Sequence, residues 1–324
     1  MISARLIIRL LAFIALVAVI AGLFWTQNPA FLSEGNLRAL MRHMSVQGLA
    51  ALGLTFVIVV RHFDLSFPGV ASFGAMTLGW LIASGMSLPV AVGGGLAVGI
   101  LFGLVNGIAV ARFGLPDIVT TIATGGLAIG FSYFYSNGTS ISQNFFMSGI
   151  LDLNDRKIIG LDMPFAILMA AAIAGFVVLH ASRFGRGFYA TGENRVSASF
   201  SGIPTRLLII AGFAICGMMA CLSITLLVAS SGAANVTAGN QLLMPAFAAV
   251  YLGAALFGRP SIGATLAGTL MMSTMLNGFT LLAIPYYYSD AIVSTVLILA
   301  IALFDPRVSG LFRGLFASKK DKTV

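Results

Sequence analysis

Long apolar runs separated by short polar stretches fill almost the whole chain. Ten runs stand out, at residues 6–24, 46–60, 70–82, 90–110, 118–135, 164–180, 207–228, 242–256, 262–279 and 291–303. A bilayer-crossing helix needs about 20 mainly apolar residues. Several runs are shorter, which predicts helices that polar turns extend or break. The first run follows Arg5 and Arg9 but is long for the apolar part of a signal peptide. No clear small-residue cleavage site follows in "WTQNPAF", so it reads as a retained span. Residues 28–45 are expected to form an amphipathic, surface-lying, partly helical piece, because Leu37, Leu40 and Met41 recur at helical spacing.

Composition agrees with this pattern. The 324 residues are 59% hydrophobic and only 9% charged, against about 25% charged in a soluble domain. Mean hydropathy is +1.01. The 37 glycines suit close helix packing in lipid. The fold class is therefore an all-α membrane protein of about ten transmembrane helices, with residues 1–324 as one transmembrane domain in contact with lipid.

The net charge of +8 would suggest nucleic acid in a soluble protein. Here the charge sits at the ends of apolar runs, so the positive-inside rule accounts for it and no nucleic-acid partner is expected. With ten spans and the N-terminus inside, the outer segments hold Arg38, Arg42, Arg156 and Lys157. The other fourteen of the eighteen Lys and Arg then lie inside. Both termini, a tail at 306–324 and a polar segment at 182–205 are expected to be cytoplasmic. Cys216 and Cys221 read as buried thiols. His43, His62 and His180 lack ligand spacing, so no metal is expected.

The segment 182–205 contains "GRGFYATGENRVSASFSGI". Its "ENRVSASF" can form a short helix, with Thr191 as N-cap and Gly202 as stop. Phe188, Tyr189 and Phe200 would give this helix an apolar side. Such a helix fits a groove on another protein, or it lies on the bilayer surface.

Polar residues that lipid would reject mark a candidate solute path. Asp64 must be paired or face a cavity, with Arg61 and His62 as adjacent partners. Its alternative role is to cap a helix that restarts at Pro68. The candidate set is Phe63, Asp64, Ser66, Asn106, Thr120, Thr121, Asn235, Asn240, Gln241 and Asn277. Neutral hydrogen-bonders suit an uncharged, hydroxyl-rich solute better than an ion, although each can also be interhelical glue. Asp117, after Pro116, reads as a helix N-cap. No phosphate-binding G-x-x-x-x-G-K-[ST] loop, zinc H-E-x-x-H or nucleophile G-x-S-x-G is present. The chain therefore reads as a non-enzyme with no cofactor of its own, and any driving energy comes from another polypeptide.

The two halves echo each other. "GLPDIVTTIATGGLAI" is similar to "AIPYYYSDAIVSTVLILAI", and "DLSFPGVASFGAM" faintly to "NQLLMPAFAAVYLGAAL". An offset of five spans makes such repeats inverted, as transporters often are.

Four segments in order carry a family resemblance. "GRGFYATGENRVSASFSGI" resembles the cytoplasmic signature of ribose/xylose-type ABC transporter permeases, the inner-membrane subunits of bacterial sugar importers. "LGLTFVIVVRHFDLSFPGV", "ARFGLPDIVTTIATGGLAIG" and "GRPSIGATLAGTLMMSTMLNGF" are similar to three further family segments, so the match runs from about residue 46 to 305. The resemblance implies a type II importer-like fold of two inverted halves in the bacterial inner membrane. It also implies a second permease, as homodimer or related chain, a cytoplasmic ATP-binding cassette ATPase that uses the ATP, and a periplasmic solute-binding protein. Coupling to the ATPase would fall to Gly185, Arg186, Tyr189, Ala190, Gly192, Glu193, Asn194, Arg195, Ala198 and Gly202. The sequence departs from the family at Arg61-His62, where two glycines are usual, and at Phe67-Pro68, where Val-Gly is common. An amino-acid or nucleoside ABC permease and an ion-coupled secondary transporter are the alternative readings.

Overall fold

The computed structural model describes residues 4–304; the expected tail at 306–324 lies outside them. Helices dominate. They are α1 (Ala4–Gln27), α2 (Glu34–Val59), α3 (Phe67–Ala83), α4 (Leu88–Ala111) and α5 (Asp117–Ser132). A connection follows with one-turn helices α6 (Phe145–Ser148) and α7 (Asp152–Asp155). It ends in a small hairpin of β1 (Lys157–Ile158) and β2 (Leu161–Asp162). Next come α8 (Met163–Phe176), a π-helical turn Val177–Ala181, α9 (Arg183–Glu193), α10 (Arg195–Phe200) and α11 (Thr205–Ser231). A 3-10 turn, Ala238–Leu242, leads into α12 (Leu243–Phe257), α13 (Ile262–Leu281) and α14 (Tyr286–Phe304).

A helix covers each of the ten apolar runs. Among the described residues, seven helices are long and apolar enough to cross a membrane, and α3 is a shorter apolar helix. The hairpin and α9–α10 sit at opposite ends of α8, which sets the two ends of the bundle.

Small residues build the centre. α4 and α11 form the most extensive helix pair. A Cβ on Gly99 would lie 2.2 Å from the Gly217 carbonyl oxygen, and one on Gly217 would lie 2.1 Å from that of Gly99. Backbones this close gain dispersion contacts that bulkier residues would prevent, which is how helices associate where lipid removes the hydrophobic drive. α2 packs beside this pair and buries Leu49 and Leu54 completely. α1 is peripheral. It leaves Ile8, Leu11 and Leu23 exposed and leans Phe13 on Phe257.

The expected surface piece at 28–45 is not separate. Only Pro29–Leu32 forms its own short turn; residues 34–45 are the first turns of α2. Their polar groups have partners, so no break is needed. Ser33 caps the helix through the Asn36 N–H, and Glu34 pairs with Arg38. Arg42 reaches Asp155 at 3.1 Å and Asp162 at 3.4 Å across the hairpin-end connection.

Two irregular segments enter the bundle from opposite ends. The linker 60–66 leads from the α9 end into α3, and residues 232–242 lead from the hairpin end into α12. At the hairpin end, Ile141 and Ala234 form a two-way backbone bridge. Deeper in, the Gly239 N–H donates to Ser72 Oγ at 3.0 Å. A Cβ on Gly239 would lie 1.9 Å from the Pro68 carbonyl oxygen, so the second entering segment touches the first turn of α3 backbone to backbone.

Candidate functional site

The first cluster is built on the linker 60–66. α2 ends when the His62 N–H donates to the Val57 carbonyl and the Arg61 N–H to that of Ile58. This closing turn puts Arg61 in the left-handed region at φ 63°. Glycine is the unstrained choice there, and a residue with a Cβ costs roughly 1–2 kcal/mol.

Asp64 is buried, but its partners are not Arg61 and His62. Its Oδ1 accepts from the Ser66 N–H at 2.8 Å and the Ser66 hydroxyl at 2.6 Å. The buried Cys216 thiol is its neighbour on α11. The network continues outward: Asn106 Nδ2 donates to Ser66 Oγ at 2.8 Å, and Thr124 Oγ1 donates to Asn106 Oδ1 at 2.7 Å. The Leu65 N–H donates to Thr121 Oγ1 at 3.1 Å. Asp64, Ser66, Asn106 and Thr121 thus form one buried polar cluster that joins α3, α4 and α5.

Thr120 stands outside it and bonds the Pro116 carbonyl in its own helix. Asp117 is not the N-cap of α5, a place that Pro116 takes. Its carboxylate faces across to His62 Nδ1 at 3.0 Å and accepts the Phe63 N–H at 2.9 Å. Its other oxygen accepts the Ile118 N–H at 2.8 Å, so the carboxylate serves both the helix start and the linker.

Asn235, Asn240 and Gln241 line a different space, a cavity of about 1140 Å³ toward the hairpin end. His43, Gln47, Ser231 and Thr237 share that wall. Asn235 is held by Ser140 and by Thr237, and Gln47 accepts from the Ser273 hydroxyl at 3.3 Å. Among the described residues, no Asp, Glu, Lys or Arg lines this cavity; Arg38 and Arg42 line the adjoining pocket, which shares His43, Gln47 and Gln241. Asn277 does not reach this wall. Its amide pairs reciprocally with Asn36, at 2.8 and 3.1 Å, and ties α13 to the start of α2. Sequence alone did not single out His43 and Gln47, since both fall where α2 was expected to begin.

At the other end, Phe63 turns away from Asp64 and lines a cavity of about 620 Å³, shared with Arg61, Tyr189, Glu193, Tyr251 and Arg259. α9 is bolted to the bundle here. A Cβ on Gly192 would lie 1.9 Å from the Val59 carbonyl oxygen, and Gly185 is equally tight against Leu179. Phe188 packs edge-on against Phe56. The Tyr189 hydroxyl donates to the Pro260 carbonyl at 2.9 Å, and Arg259 lies over its ring at 4.8 Å. Burial raises the Tyr189 phenol, with Arg259 opposing.

The helix expected at "ENRVSASF" is α10, which starts at Arg195, while Glu193 ends α9. Thr191 is inside α9 and bonds the Gly187 carbonyl instead of capping. Asn194, whose N–H closes on Ala190, is the cap of α10 and accepts the Ser197 N–H. Gly202, at φ 79°, stops it. Arg195 reaches back to the Ala111 carbonyl at 3.1 Å, which ties α10 to α4, and Ala198 is buried. Phe188 and Phe200 do not share a side. Phe188 is buried, while Phe200 is 89% exposed beside exposed Val196, Arg186 and Glu193.

A helical bundle with two broken entries, a neutral cavity and an external helix pair describes a membrane permease. Residues 36–301 match the family described as branched-chain amino acid transport system / permease component, and the chain belongs to that family. It is 29% identical to the ribose import permease protein of Escherichia coli K12 over 90% of this chain and 91% of that one. It is 29% identical to an autoinducer 2 import system permease protein of Yersinia enterocolitica, over 90% of each chain. Identity to an autoinducer 2 import permease of Salmonella typhi is 30%, over 92% of this chain and 85% of that one.

Proposed function

We propose that this chain is the pore subunit of a bacterial ATP-driven importer for a sugar or sugar-like solute. The observation that carries the solute class is the cavity toward the hairpin end, whose polar wall is made of amides, hydroxyls and one imidazole. A zwitterionic amino acid needs fixed counter-charges when it leaves water, and among the described residues that wall supplies no carboxylate or guanidinium. The relatives named for ribose and autoinducer 2 import point the same way.

In this reading the ten helices α1–α5, α8 and α11–α14 all cross the inner membrane, as two inverted halves. The matching prolines, Pro68 and Pro245, in the first turns of α3 and α12 support the repeat. Both termini face the cytoplasm, the hairpin end faces a periplasmic solute-binding protein, and a second permease completes the pore. Arg186, Glu193, Val196 and Phe200 dock the ATPase, which holds the ATP; this chain needs no cofactor. Tyr189, Gly192 and Arg195 transmit its motion, because they join α9–α10 to α2, α4 and the α12–α13 turn. Asp64, Ser66, Asn106 and Thr121 hold the broken entry in shape beside the path.

The test is reconstitution with the ATPase and binding protein, scored for uptake of labelled ribose, autoinducer 2 and leucine. ATP-dependent uptake of a polyhydroxy solute is expected, with none by the chain alone. Leucine uptake would replace the solute class, and uptake by the lone chain under an ion gradient would replace the mechanism.

A further inference from the structure

The cavity at the α9 end is unlike the one at the hairpin end. Its wall is lined by Arg61 and Arg259, by His62, whose ring is paired with Asp117, and by one acid, Glu193. Arg9 adds a third guanidinium at its edge, donating to the Phe257 carbonyl at 2.8 Å next to the lining residue Gly258. Neither Arg61 nor Arg259 makes an ion pair among the described residues. Phe63, Tyr189 and Tyr251 supply ring surface on the same wall.

Arg61 is also in a costly place. It occupies a left-handed backbone position, φ 63°, where glycine would be relaxed. Helix closure does not explain an arginine there, since the bonds that end α2 use only backbone groups. A strained residue that adds charge to a cavity is a hypothesis of function.

We propose that this cavity binds a phosphate-bearing anion from the side assigned above to the cytoplasm. Guanidinium groups match phosphate oxygens in geometry and charge, and Arg61, Arg259 and Arg9, less Glu193, leave the two positive charges that balance a phosphomonoester dianion. At about 620 Å³ the space also admits a small organic body, which the aromatic rings would cover. The phosphate could be carried by a soluble metabolite or by an anionic lipid headgroup. Binding here goes beyond the transport reading and is measured without transport.

The full-length chain is placed in nanodiscs of neutral phosphatidylcholine and titrated with glucose 6-phosphate, inorganic phosphate and uncharged glucose. Thermal unfolding midpoints are recorded for wild type, Arg61→Gly and Arg259→Gln. Arg61→Gly relaxes the backbone, so its midpoint without ligand should equal or exceed that of wild type. The expected result is a midpoint raised by the phosphates but not by glucose, with binding at least tenfold weaker in both variants. If soluble phosphates are silent but phosphatidylglycerol discs raise the midpoint of wild type and not of Arg61→Gly, the source is a lipid headgroup. No response to phosphate or to anionic lipid, or equal responses in wild type and both variants, overturns the proposal.

Discussion

The backbone of Gly192 in α9 lies directly on the carbonyl of Val59 at the end of α2, so that a Cβ there would sit 1.9 Å from the oxygen. Adding one methyl group must push the two helices apart. Gly192→Ala is expected to cost about 1–3 kcal/mol and to cut ATP-driven uptake at least tenfold. The ATPase should still bind, because the exposed face of α10 is untouched. Unfolding midpoint, co-purification and uptake check the three parts, and unchanged values would mean that the joint has slack.

Asp64 is the acceptor for two Ser66 donors inside the protein. Asp64→Ala leaves both unsatisfied, at about 1–3 kcal/mol each. Asp64→Asn keeps a carbonyl oxygen in place and should be milder. Midpoints in detergent should rank wild type, then Asn, then Ala; an alanine variant as stable as wild type would remove the acceptor role.

Gln241 and Asn277 should separate cleanly. Gln241→Ala is expected to raise the apparent KM for the solute several-fold with little change in stability, because its side chain lines the neutral cavity. Asn277→Ala breaks the Asn36 pair, should cost about 0.6–2 kcal/mol, and should leave KM alone. Uptake kinetics beside unfolding curves decide both.

Among the glycines, crowding rather than helix propensity should set the outcome. A Cβ on Gly217 meets the Gly99 backbone, whereas one on Gly126 meets nothing within 4 Å. Gly217→Ala should lower folded yield, and Gly126→Ala should leave it equal or higher. Fluorescence-detected size exclusion of tagged variants measures this.

Much of the helix order was legible because apolar runs and breakers are local signals; Gly202 is an example, since its left-handed backbone is what a helix stop needs. The continuity of α2 was not legible. Arg42 looks like the end of a surface piece until Asp155 and Asp162 are brought to it from more than a hundred residues away. Asp64 misled for the same reason. Adjacent Arg61 and His62 were the obvious partners, but the turn at Arg61 sends those side chains elsewhere. Cys216, read as a buried thiol, is buried as expected. The amides at 235–241 were visible as polar residues, but their separation from Asn106 and Asn277 depends on packing alone.

α2 has a mechanical consequence. It runs 26 residues without a proline, or about 39 Å, with Arg42 clamped about a third of the way along and Val59 under Gly192 at the far end. A rod of that kind has no interior hinge. α11 lies along it from Val46 to Phe56, so a push at the Val59 end is carried toward the Arg42 clamp without bending in between. In the proposed transporter, the strength of the Arg42 pairing to Asp155 and Asp162 would therefore report movement of α9.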